Sequence, residues 1–572
     1  MDNRRTYGNV MSILSAGWLR YQKGRVMSGV RADRRDPSTA TVAALIRARA
    51  EDDNVGLIAG DRCWTWREVV AEAATRAAWM RATLDPDRPP HIGILAPNVP
   101  DYVFQILGAA LAGTCIVGLN ATRRGAELAR DIDHTACQLV LTDAGYADLV
   151  DNPVRLEEAP WAPFAGAALP DTDPDPATLL FLLFTSGSTS APKAARCSQG
   201  RLAAVGALGF RSDAVLYCPM PLTHGNALSA ILFPALAAGC RLVLRDRFSA
   251  SEWLADVRVH GVTFTSTVGR ALGYILATPP TPADHDHSLR VVLAPEASPR
   301  DCEAFRTRFG AKVLSGYGSS EGGISLLPAA KPGSLGTAPP GADIAVVDEN
   351  GRECETARFD EQGRLTNAAA ATGELVRRDA AGSFEGYWDN PDAESDRLRD
   401  GWFWSGDLAY RDADGVFWFA GRVGDWLRVD SENFGAGPVE RILGRYPDAA
   451  AVAVIAVPDP LAGDQVMAVL EPAPGCGFDP ERFTEFLNDQ TDLGTKWAPR
   501  FIRISPAIPV VGHGKIDKKP LRRDAWLCDD PVWWRPGRAK DYRPLTDADR
   551  AELRDQFVAH GRLQAYPCAA EN

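Results

Sequence analysis

Thr185-Ser186-Gly187-Ser188-Thr189-Ser190-Ala191-Pro192-Lys193 follows the apolar run Leu179-Leu180-Phe181-Leu182-Leu183-Phe184, and this junction decides how the rest of the chain is read. The apolar run, bounded by turn-forming residues, has the length and composition of a buried strand. The segment after it opens with an unbroken block of hydroxyl-bearing residues and glycine and closes on a lysine. Such a loop can surround an anion with backbone N–H groups, hydroxyls and one mobile cation, which is the chemistry a triphosphate needs. Taken alone, it also reads as a polar surface turn. It is not a Walker A sequence, because Lys193 follows proline rather than glycine and no Ser or Thr comes next.

Upstream of this strand, short apolar runs at 55–58, 91–95, 115–119 and 138–142 alternate with helical patterns at 41–50, 66–84, 100–112 and 124–134. Downstream the alternation continues through runs at 214–218, 241–244, 262–265, 290–294 and 312–315. Strands separated by helices of this length predict a large domain of mostly parallel α/β sheet. From 334 to 419 the texture changes to short alternating runs with Gly, Asp and Asn turns, which predicts an antiparallel β region. Beyond Gly421-Arg422-Val423-Gly424-Asp425 the pattern helix, strand, strand, helix, strand predicts a small α+β C-terminal domain. The expected division is an N-terminal extension at 1–40, a large domain at 41–424, a small domain at 425–526 and a tail at 527–572.

At 572 residues the chain is too long for one core. Its 45% apolar and 24% charged content is that of a globular protein. A net charge of −12 argues against a nucleic-acid partner, which requires a basic face. Eleven scattered cysteines, with no Cys-x-x-Cys pair, read as buried thiols in a reducing cytosol. The longest apolar stretch, Ala227 to Cys240, contains Pro234 and is short of a membrane span. The basic first 26 residues lack the apolar core and cleavage site of a signal peptide. The expected location is the cytoplasm.

Two local patterns invite other chemistry. Gly318-Ser319-Ser320-Glu321-Gly322 satisfies the Gly-x-Ser-x-Gly pattern of a hydrolase nucleophile elbow. That device needs a helix after the serine, and the following Ile324-Ser325-Leu326-Leu327-Pro328 predicts none. Asp284-His285-Asp286-His287 has metal-binding residue types but lies between a proline-rich turn and a strand, so a solvated loop is expected.

The ordered set of the 185–193 loop, Tyr317-Gly318-Ser319-Ser320-Glu321, Trp404-Ser405-Gly406-Asp407, Gly421-Arg422 and Gly514-Lys515 resembles the adenylate-forming superfamily of acyl-CoA synthetases, luciferases and peptide-synthetase adenylation domains. The resemblance covers nearly the whole chain from about residue 40. Thr267 to Leu276 and Asp530 to Arg538 make it most similar to the fatty-acid transport protein and very-long-chain acyl-CoA synthetase branch. It implies an AMP-forming ligase that converts a carboxylate and ATP into an acyl-AMP and pyrophosphate, then passes the acyl group to a thiol, with CoA the expected acceptor.

By the same resemblance Thr185, Ser186, Gly187, Ser188, Thr189 and Lys193 cradle the phosphates. Tyr317 and Gly318 lie against adenine, as does the looser match Glu296-Ala297. The Ser320 hydroxyl meets the α-phosphate, Glu321 holds Mg²⁺, and Asp407 accepts the ribose hydroxyls with Arg422 on the other side. Lys515 bridges the attacking carboxylate and the phosphates, and His224 stands between nucleotide and acyl pocket. Catalytic roles thus fall to Lys515, His224 and Glu321. The implied partners are a small carboxylate, or another small oxyanion, and CoA or another small acceptor. Ser190 and Ser431 stand where the family has glycine. Since Ser431 neighbours the implied pantetheine path, a ligase with a non-CoA acceptor, such as an amine ligase or an ATP-dependent diazotase activating nitrite, is the alternative.

Overall fold

The computed structural model describes residues 40–567 apart from 121–122, 124, 186–192, 207–208, 296, 298, 330, 332, 362–364, 381, 423–425, 430–431, 462, 491–492, 495, 512–514, 538, 540 and 561. The chain divides into two compact units. The first takes the residues up to Gly333 together with Pro339–Gly341 and Ala380–Gly401, and the second takes Ser334–Ala338, Ala342–Asp379 and the chain from Trp402 onward.

The first unit is built on two sheets. One has six strands in the order Val154–Arg155, Leu139–Thr142, His91–Leu95, Cys115–Gly118, Leu179–Thr185, Lys193–Ser198. Its neighbours are parallel except the last pair, which is antiparallel with Thr185 opposite Lys193. The apolar run before the phosphate-loop candidate is therefore an inner strand. Leu180, Phe181 and Leu182 are fully buried, as expected where helices or loops cover both sheet faces. The Trp66–Thr83 helix starts in a capping box between Thr65 and Glu68, and Pro100–Ala112 starts on its proline and ends at Gly113, whose φ is 74°.

The other sheet has seven strands in the order Lys312–Leu314, Val291–Leu293, Phe264–Ser266, Val215–Cys218, Arg241–Leu244, Val55–Ala59, Arg62–Thr65. All pairs are parallel but the last. In parallel sheets, ligands are bound by the loops leaving the carboxyl ends of the strands. The arrangement brings the loops after 215–218, 264–266, 291–293 and 312–314, distant in sequence, side by side. Trp253, Phe305 and Phe309 pack against one another beneath this sheet.

The second unit holds the expected antiparallel region, with strands in the order Gly336–Thr337, Val416–Arg422, Trp402–Arg411, Gly373–Arg377, Ile344–Val347. A hairpin of Trp426–Val429 and Glu432–Gly435 follows. The C-terminal sheet has five strands: Ala449–Pro458, Asp464–Pro472, Phe501–Ile504, Val532–Trp534 and Arg543–Pro544. Residues past 526 thus supply the last two strands at one side of it. They also supply helix Asp547–Ala559, whose Leu553 and Phe557 join Phe501, Trp526 and Trp534 in one core.

Among the described residues no helix is long and apolar enough to cross a membrane. The run from Ala227 instead forms a π-helical turn, Leu228–Leu232, and helix Phe233–Ala238, both largely buried. The structure corrects one expectation. Asp284 is not in a solvated loop: it is buried, accepts from Arg308 Nε at 2.7 Å, and lies within the short 3₁₀ turn Pro282–His285, whereas His285 and Asp286 are exposed as expected. Arg308 also donates to the carbonyls of Leu276, Thr278 and Pro279, so the pair closes the end of helix Gly269–Leu276. No cluster of three or more potential metal-ligating side chains exists among the described residues.

Candidate nucleotide site

The Tyr317–Ser319 strand turns at Ser320-Glu321 and returns as Gly322–Leu326, so strand rather than helix follows the Gly-x-Ser-x-Gly pattern. No nucleophile elbow is formed, and the Ser319 hydroxyl donates to the Gly322 carbonyl at 2.8 Å. The turn is held from two sides. Arg201 donates to the Ser320 carbonyl at 2.7 Å and to the Arg196 carbonyl at 2.8 Å. Gly323 N–H donates to the Ser383 carbonyl at 2.7 Å. Gly322 adopts a φ of 86°, which a residue with a Cβ adopts only under strain.

Glu321 and Lys193 meet at one ring. The Tyr387 hydroxyl lies 3.1 Å from Glu321 Oε1, and the Lys193 ammonium lies 5.9 Å from the centroid of the same ring. Tyr387 is 1% exposed and Lys193 only 9%. Burial first, and the Glu321 charge second, push the tyrosine hydroxyl well above its ordinary pKa. The group therefore stays protonated and donates to the carboxylate. Glu321 offers hard oxygen ligands of the kind that suit Mg²⁺, which is commonly held by one or two carboxylates plus substrate phosphates.

His224 ends the loop Pro219–Thr223. Asn98, buried, fixes that loop by donating to the Met220 carbonyl at 2.9 Å and accepting from Leu222 N–H at 2.8 Å. The next residue, Gly225, brings this loop against the Ser320 turn: a Cβ there would lie 3.5 Å from Leu183 Cδ1 and 3.7 Å from Ser320 Oγ. Ala297 is buried in the loop after Val291–Leu293, and the N–H of Gly269, the first residue of helix Gly269–Leu276, donates to the Pro295 carbonyl at 2.9 Å. Tyr317 is half-buried and Gly318 exposed. The structure thus gathers Lys193, His224, Ala297, Tyr317, Gly318, Ser320 and Glu321 at the carboxyl ends of the first unit's parallel strands.

In the second unit Asp407 is buried on strand Trp402–Arg411, directly opposite Arg422 on the antiparallel neighbour. Its N–H donates to Ser405 Oγ at 3.1 Å, and the N–H of Gly406 to Glu374 Oε1 at 2.8 Å. These bonds fix the backbone that presents the carboxylate. Lys515 lies on a two-residue strand paired with Val510–Val511. Ser186, Gly187, Ser188, Thr189, Ser190, Glu296, Asp425 and Ser431 lie outside the described residues, as do the side chains of Thr185, Arg422 and Lys515.

Sequence reasoning missed Arg201, Asn98, Glu374 and Tyr387. Arg201 carries a signal: it occupies the first turn of helix Gln199–Gly206, where the helix dipole disfavours a cation, so another partner must hold it. Tyr387, in Gly386-Tyr387-Trp388, carries none.

Comparison with known proteins accords with this geometry. The family model "AMP-binding enzyme" matches residues 46–388, and "AMP-binding enzyme C-terminal domain" matches 438–515. The chain is 47% identical to a steroid-22-oyl-CoA synthetase of Rhodococcus jostii, covering 91% of this chain and 98% of that protein. It is 42% identical to the medium/long-chain-fatty-acid–CoA ligase FadD17 of Mycobacterium marinum, covering 86% and 98%. Among solved structures, the anthranilate CoA ligase AuaEII in complex with anthranoyl-AMP superposes with a TM-score of 0.75 at 20% identity, covering 86% of this chain and 98% of that one, and so shares the fold.

Proposed function

The chain belongs to the AMP-binding enzyme family and is an AMP-forming ligase, and on that footing we propose that it joins a bulky apolar carboxylic acid, a steroid whose carboxyl carbon is C22, to coenzyme A. The observation that carries this reading is the 47% identity with a steroid-22-oyl-CoA synthetase over nearly the full length of both chains. The 42% identity with FadD17 supports a second reading, a medium- or long-chain fatty acid as substrate. Both relatives are CoA ligases by name, which favours CoA over a non-CoA acceptor despite Ser431.

In the proposed chemistry a carboxylate oxygen attacks the α-phosphorus of ATP, and the bond to pyrophosphate breaks. The CoA sulfur then attacks the acyl carbon, losing its proton as AMP departs. Phosphoryl-type transfer asks the protein for positioning and charge neutralisation rather than covalent help. Lys193 and the preceding loop, Thr185 to Thr189, take the phosphates, and the Ser320 hydroxyl takes the α-phosphate. Tyr317, Gly318, Glu296 and Ala297 border adenine. Asp407 accepts from the ribose hydroxyls, an acceptor-only group facing two donors, with Arg422 beside it. Lys515 supplies positive charge where negative charge develops. His224 separates nucleotide from acyl group. Glu321 would hold Mg²⁺, which when bound neutralises phosphate charge. The proposed domain limits are 41–424, 425–526 and 527–572 after an extension at 1–40, and the proposed location is the cytoplasm.

The test is pyrophosphate release from MgATP, with and without CoA, across a C22 steroid acid, medium- and long-chain fatty acids and aryl acids. A kcat/KM for the steroid acid at least about tenfold above the fatty acids, a difference of about 1.4 kcal/mol, and a matching acyl-CoA product are expected. Preference for fatty acids selects the second reading, and release without acyl-CoA formation overturns CoA as acceptor.

A further inference from the structure

Ser383 to Trp388 forms a strap laid across two elements that the nucleotide site draws on. Towards the strand that ends the phosphate loop, Trp388 N–H donates to the Ala194 carbonyl at 2.8 Å and Arg196 N–H to the Gly386 carbonyl at 3.1 Å. Glu385 accepts from the Ser198 N–H at 2.8 Å and from its hydroxyl at 2.5 Å. Towards the Ser320 turn, Phe384 pairs with Gly322 and the Ser383 carbonyl accepts from Gly323 N–H. The strap is itself anchored, since Tyr387 N–H donates to Glu394 Oε1 at 2.8 Å.

The Tyr387 side chain touches groups from both elements: its hydroxyl reaches Glu321 and its ring face meets the Lys193 ammonium. A carboxylate only accepts, so the tyrosine's single hydrogen is directed at Glu321 Oε1. Among the described residues the carboxylate is thereby held through one of its two oxygens. We propose that Tyr387 is a positioning residue that sets the Glu321 carboxylate and the Lys193 ammonium in register, so that the metal-binding and phosphate-binding halves of the nucleotide site are assembled before MgATP arrives. This rests on the reading of Glu321 as the metal ligand.

The test measures binding, independent of turnover, on the full chain. Mn²⁺ serves as the paramagnetic probe, with the affinity of Mn·ATP read by electron paramagnetic resonance and that of metal-free ATP by calorimetry. Tyr387→Phe keeps the ring and removes the hydroxyl. Loss of one hydrogen bond to a charged group predicts about a tenfold weaker Mn·ATP affinity, with metal-free ATP affinity changed less than about twofold. Tyr387→Leu removes the ring as well and should weaken metal-free ATP too, by a further threefold or so. In a Glu321→Gln background, Tyr387→Phe should add nothing, because its partner's charge is already gone. Unchanged Mn·ATP affinity in Tyr387→Phe overturns the proposal. So do equal losses with and without metal, full additivity with Glu321→Gln, and a wild type whose nucleotide binding ignores metal. A wild type that binds Mn·ATP as expected yet activates no acid fails the proposed function alone.

Discussion

Gly322→Ala tests whether the Ser320 turn must be placed as closely as its restraints suggest. The substituted Cβ would lie 2.7 Å from the Ser383 carbonyl oxygen and 3.1 Å from Arg201 Cζ, whereas ordinary contact begins at 3.4 Å. The first neighbour is backbone of the strap, and the second is the guanidinium that holds the Ser320 carbonyl. Neither can yield without moving what it positions, so turn and strap must separate by about 0.7 Å, the difference between those two distances. The φ of 86° adds a strain of about 1–2 kcal/mol for alanine. A misplacement near 1 Å costs about 10²-fold in rate. Shared between turn and strap, this displacement should lower kcat/KM for ATP by about 10- to 100-fold, or about 1.4–2.7 kcal/mol. Gly382→Ala is the control: its φ is 76°, but nothing lies within 4 Å of the added Cβ. It carries the strain without the displacement, and its rate should stay within about threefold of wild type, a change of under 0.7 kcal/mol. Pyrophosphate release at saturating acid, with thermal melts of both variants, makes the measurement. Equal rates in the two variants would refute the reasoning.

Two further perturbations are expected to be informative. Asp407→Asn replaces one carboxylate oxygen with a donor, so KM for ATP should rise about tenfold, and discrimination between ATP and its 2′-deoxy analogue should shrink; retained discrimination counts against the ribose role. Asp131 is fully buried, and burial raises its pKa to about 6 although Arg123 pulls the other way. Because the folded value lies above the usual 3.8, its contribution to stability is complete below about pH 3.8 and is lost as the pH rises through 6. Asp131→Asn should therefore gain on the wild type in melting temperature between pH 4.5 and 7.5, and an offset independent of pH would exclude this.

What could be read from sequence follows from how local each cause is. The strand 179–185 was legible because burial on both faces leaves an uninterrupted apolar run. Its hairpin partner, Lys193-Ala194-Ala195-Arg196-Cys197-Ser198, has no β-branched residue and becomes a strand through its ladder to 179–185 and its bonds to the strap on its other side. The 334–419 region read correctly as antiparallel because its runs are short and turn-bounded, yet nothing local indicates that Ala380–Gly401 leaves it for the first unit. The same non-locality hid Tyr387, whose meaning depends on Glu321 and Lys193. It also misplaced Asp284, whose partner Arg308 lies 24 residues away. Ser320, Glu321 and Asp407 stand out in the sequence by motif and residue type, but the bonds that hold the backbone around them do not.

The C-terminal sheet has a consequence for biosynthesis. Its strand Phe501–Ile504 pairs on one side with Asp464–Pro472 and on the other with Val532–Trp534, and Phe557 completes the core beneath. A ribosome that has delivered residues up to 504 has made a sheet with an open edge and an unfinished core. That edge stays available for pairing with other chains until Val532–Trp534 emerges, and the core stays unfinished until Phe557 does. The first unit faces a milder delay, since it waits only for 380–401. Nascent chains stalled between 504 and 532 should accordingly be the ones that chaperones retain.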